Sequence, residues 1–133
     1  MRRALIWVYL ASAVLVVIGV FLQAFSITAY IRGAGSGALD MHQAVGSVTN
    51  ILEVVTFLGA LIGFWGSWTR VGFAFALPVI GTIQLFAIGD TDTSGGWANG
   101  VHGLLALVVL VLAGMLTHDG MRALGLRAGP RAT

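Results

Sequence analysis

Four apolar stretches, each about 20 residues or longer, cover roughly residues 4–31, 41–64, 71–89 and 97–117. A helix of about 20 such residues crosses the hydrocarbon core of a bilayer, where every backbone polar group must be satisfied within its own segment. The pattern predicts an all-α fold: an integral membrane, up-and-down four-helix bundle in a single domain over residues 1–120, followed by a flexible tail over 121–133. The gaps read as connections. Residues 33–37 form a Gly-rich loop, residues 65–68 a tight turn, and residues 90–96 a polar segment. Composition agrees, because 58% of the 133 residues are hydrophobic and 9% are charged, whereas a soluble domain carries about a quarter charged residues. There is no cysteine, which removes disulfide frameworks, thiolate metal sites and thiol nucleophiles.

Sorting the twelve charged residues orients the bundle. Arg2, Arg3, Arg70, Arg122, Arg127 and Arg131 fall at one end, and Arg32 stands alone at the other beside Asp40, Asp90 and Asp92. The positive-inside rule then places both termini in the cytoplasm of a bacterial cell (inner) membrane. Trp7, Trp65, Trp68 and Trp97 fall near the expected interfaces, where indoles prefer to sit. The sequence pI near 9.9 therefore records topology and not a nucleic-acid partner. Arg2 and Arg3 followed by an apolar run resemble a secretory signal, with Ala11-Ser12-Ala13 imitating a cleavage site. The run continues well beyond it, as in an uncleaved anchor.

Polar side chains inside hydrocarbon are costly and ask for a partner or a purpose. His42 and His102 lie near the starts of the second and fourth helices. At 1.5 Å per residue both sit within roughly 3–8 Å of the same end of the bundle. Those helices are the diagonal pair, with axes about 11–14 Å apart. Two inward imidazoles at that separation can reach one central atom without bonding to each other, the arrangement that ligates haem iron axially. A lone histidine near an interface is usually a headgroup or packing residue, and it is the matched pair that points to a ligand. Gly46 and Gly103 lie beside the two histidines, leaving room for a flat ring. Gln23 and Gln84 fall in the same half of the bundle, at the ring edge or on a water. Arg32 is the expected partner of a haem propionate, with Asn99 as a second partner or a helix cap. Two histidines are too few for a structural or catalytic zinc site.

Glu53 lies eleven residues after His42, about 16 Å deeper and on the same helical face. At that depth a neutral acid is the default. Its expected partner is Thr49, Ser12 or a backbone carbonyl, the alternative being a proton or quinone role. His118, beside Asp119 at the cytoplasmic end, reads as a solvated helix end.

The segment Met41-His42-Gln43-Ala44-Val45-Gly46, residues 77–84 and Gly100-Val101-His102-Gly103-Leu104-Leu105-Ala106-Leu107 resemble one four-helix half of haem A synthase. They are also similar to small actinobacterial four-helix membrane proteins of the same pattern. The resemblance spans about helices two to four. It implies a bis-histidine b-type cytochrome with one haem b per protomer, ligated by His42 and His102. Ala38 stands where the synthase's catalytic half has a glutamate four residues before its first histidine, so the likeness extends to haem binding and stops short of synthase activity. The expected role is electron transfer with a quinone or a redox partner protein, in a homo-oligomer or larger complex. The rivals are a cofactor-free accessory subunit and a haem sensor or carrier.

Overall fold

The computed structural model describes residues 1–87 and 96–126. They form four helices: α1 (Arg2–Ile31), α2 (Ser36–Gly63), α3 (Trp68–Ala87) and α4 (Gly96–Ala123). All four are long and apolar enough to cross a membrane, the pattern of a multi-pass membrane protein. Asp90, Asp92, Arg127 and Arg131 lie outside the described residues.

The helices stop where the chain can turn. After α1, Gly33 takes φ 91°, its N–H donates to Tyr30 O, and the Ala34 N–H donates to Ala29 O. That closure satisfies two terminal carbonyls and uses a left-handed residue that favours glycine. Gly125 ends α4 the same way, with Gly125 N–H on Arg122 O and Leu126 N–H on Met121 O. α3 begins at Trp68, inside the expected 65–68 turn, and two bounds differ most from the sequence expectation. α2 begins at Ser36 rather than near residue 41, because the break falls at Gly35 with φ 86°, after which Ser-Gly-Ala continues as helix. α4 extends through residues 118–123, beyond the apolar stretch, because its polar last turns are tied to the other helices.

Neighbouring helices pack in the cyclic order α1, α2, α3, α4, and the diagonal pairs have no backbone contact. The α1/α2 interface is the most extensive and α3/α4 the sparsest. At the end carrying the chain's N-terminus, Tyr9, Ala13, Val16, Ala60, Leu77 and Ala113 form a closed core. Gly59 and Gly63 face inward onto Tyr9 and Ile6, so this pair closes α1 on α2 within the protomer. Thr56 Oγ1 donates to Ser12 Oγ at 2.8 Å, and Ser12 donates onward to Val8 O at 2.8 Å. Arg2 Nε donates to Gly63 O at the end of α2 (2.9 Å). Arg70 pairs with Asp119 (3.2 Å) and lies over the Phe64 ring. These contacts fasten α1–α4 at the termini end. The outward face carries Phe21, Phe25, Ile51, Leu104 and Val111, all exposed, as a lipid-facing surface requires.

Candidate functional site

At the opposite end, His42 and His102 meet across the diagonal. Their ring centroids are 6.1 Å apart and the ring planes are inclined at 58°, so the rings are neighbours without parallel stacking. His42 Nδ1 lies 3.1 Å from Gln23 O on α1. A carbonyl only accepts, so Nδ1 is the donor, which in a neutral ring leaves the lone pair on Nε2. A ligating histidine is usually held in this way by an acceptor on its other nitrogen. Ser26 Oγ also donates to Gln23 O (3.1 Å), so this carbonyl anchors two side chains.

Below the histidines a cavity of about 30 Å³ receives residues from all four helices. Its polar lining comprises Gln23, Thr49, Asn50, Glu53, Gln84 and His102. Glu53 is 2% exposed and its Oε2 accepts from Asn50 Nδ2 at 3.1 Å. The expected partners are engaged elsewhere: Thr49 donates to Val45 O and Ser12 to Val8 O.

Three glycines on three helices make these polar groups fit. A Cβ at Gly19 would collide with the Thr49 hydroxyl, one at Gly81 with the Glu53 carboxyl, and one at Gly46 would lie 2.6 Å from Gln23 Nε2. The space beside Gly46 is thus filled by the Gln23 amide and not left open for a ring. Gly103 has nothing within 4 Å of a built Cβ and is exposed, so it faces outward, away from the pair. Arg32, at the α1 C-cap, and Asn99, in the first turn of α4, are exposed at the histidine end and do not line the cavity. Gln23 and Gln84 do. Asn50, Gly19 and Gly81 had no role in the sequence reading. The Asn50–Glu53 spacing of three residues is a signal that could have found the first. The glycines depend on inter-helix register and left none.

Two imidazoles with ring centroids 6.1 Å apart, one held at Nδ1 by a backbone carbonyl, are the donors that a haem iron would take. The macrocycle needs more room, since pockets for ligands of that size run to roughly 300–1,000 Å³. The cavity of about 30 Å³ does not provide it. Among the described residues no group of three or more His, Cys, Asp or Glu could hold a bare metal ion. Compared with protein-family models, curated proteins and solved structures, the chain matches none.

Proposed function

We propose that this is a bacterial membrane b-type cytochrome binding one haem b between His42 and His102, with both termini cytoplasmic, and that it exchanges electrons with a quinone or a redox partner protein. The observation that carries the reading is the pair of imidazoles brought to 6.1 Å between ring centroids, with His42 Nδ1 bonded to the Gln23 carbonyl. Bound haem iron supplies one-electron exchange. The protein's own part is to hold the two imidazoles in place, to exclude bulk water with four apolar helices, and to tune the site's polarity. The Gln23 and Gln84 amides face the space between the helices. Arg32, with Asn99 exposed at the same end of the bundle, is the counter-charge for a propionate emerging there. Glu53 lies too deep to join the ligand set. One haem near one surface leaves most of the bilayer uncrossed, so a partner subunit or second copy completes any transmembrane electron path.

The test is the absorption spectrum of the purified protein, oxidised and reduced. A low-spin b-type α band lost in both His42→Ala and His102→Ala is the expected result, and a colourless protein made with ample haem refutes it. The small cavity favours the rival reading, a cofactor-free subunit of a larger complex, and that colourless outcome would select it. Arg32→Ala should weaken haem binding or shift the midpoint potential; no change in either removes Arg32 from the site.

A further inference from the structure

The cavity has unlike ends. Toward the histidine end its lining residues Gln23, Gln84 and His102 are half-buried and Leu85 is exposed. Toward the termini end it stops at Val20 and Val109, behind which lie Val16, Leu77 and Ala113, all fully buried. About 30 Å³ holds about two water molecules where polar partners line the space, as they do here. At the closed end is Glu53, the one carboxyl buried in the apolar part of a helix among the described residues, in a space Gly81 keeps clear for it.

We propose that Glu53 is a proton-binding site reached only from the histidine end, with water in the cavity as the conductor. When the Glu53 O–H bond breaks, its proton passes to a cavity water and leaves past Gln84 and His102; uptake is the reverse, and no electron changes hands. The surroundings fit a proton better than a metal cation. Asn50 turns its amide N–H toward the carboxyl, which supports a carboxylate and repels a cation. Few other charges bear on the site. α1 and α3 present no titratable side chain to the cavity, α4 presents His102 across it, and α2 carries His42, already bonded to Gln23. Tyr9 and the Arg70–Asp119 pair lie beyond the apolar floor. The proposal does not rest on haem binding.

The experiment uses the full chain without haem, in liposomes of known orientation, and follows the carbonyl stretch of the protonated carboxyl by infrared difference spectroscopy. Glu53→Gln should remove the band and so identify it. A pH jump at the histidine end should change it, and the same jump at the termini end should not. Ala106→Leu, which fills the cavity from α4, should slow deuterium exchange of the carboxyl by about tenfold or more. Gln84→Leu, at the mouth, is the second blocking variant should the first not fold. A band that answers from the termini end, answers to neither side, keeps its exchange rate in the blocked variant, or is displaced by sodium at constant pH overturns the proposal. Because haem is absent throughout, these outcomes leave the spectral test of the histidine pair independent.

Discussion

At the termini end, Gly59, Gly63 and Gly120 receive apolar groups from α1, namely parts of Tyr9, Ile6 and Leu10. At the histidine end, Gly19, Gly46 and Gly81 receive a hydroxyl, an amide and a carboxyl. The same loss of a Cβ thus serves two ends. In the first half it brings backbones together and maximises dispersion contacts, the main attraction between helices in lipid. In the second it admits polar side chains that hydrocarbon would otherwise expel. The contrast teaches that stability and chemistry are segregated along the bundle axis, with the apolar core carrying the first and the cavity tolerating the second.

Substitutions should separate the halves. Tyr9 is fully buried, touches Gly59 and Gly120, and meets the Phe64 ring edge-on at 5.1 Å. Tyr9→Ala should therefore cost about 3–5 kcal/mol in reversible unfolding from mixed micelles, and a loss below about 1 kcal/mol would dissolve the distinction between the halves. Gly81→Ala should cost about 1–3 kcal/mol by overpacking against Glu53. Most of that should return in the Gly81→Ala/Glu53→Ala double variant, and simple additivity in the cycle would show that the two groups do not compete for space. Thr56→Val removes the hydroxyl that links α2 to Ser12 and should cost about 0.5–1.5 kcal/mol by the same assay. Arg70→Ala should have the smallest effect. The side chains of Arg70 and Asp119 are 44% and 28% exposed, and such pairs contribute about 1 kcal/mol or less, reduced further by salt.

The four helices and the matched depth of the histidines were legible because both follow from counting: apolar length for one, rise per residue for the other. Glu53 was legible as inward-facing, since eleven residues return a helix nearly to the same face. Its bond to Asn50 was not anticipated, because Thr49 and Ser12 were equally plausible in depth and the choice depends on side-chain rotamers. The Gln23 carbonyl at His42 Nδ1 could not be read at all, since every residue carries such an acceptor and only tertiary register selects one. Gly81 opposite Glu53 was hidden for the same reason. Gly46 does line the cavity with His102, while Gly103 shows the limit from the other side: being next to a histidine in sequence does not put a residue on the same helical face.

The broad α1/α2 interface also bears on how the molecule comes into being. Those two helices precede α3 and α4 in the chain and contain within themselves the Gln23–His42 bond, so that hairpin already carries one aligned imidazole. The second imidazole sits on α4. The pair therefore requires α4 to dock on the hairpin, and the α1/α2 half alone places only one of the two rings. Contact of the two histidines thus reports that the whole four-helix bundle has closed.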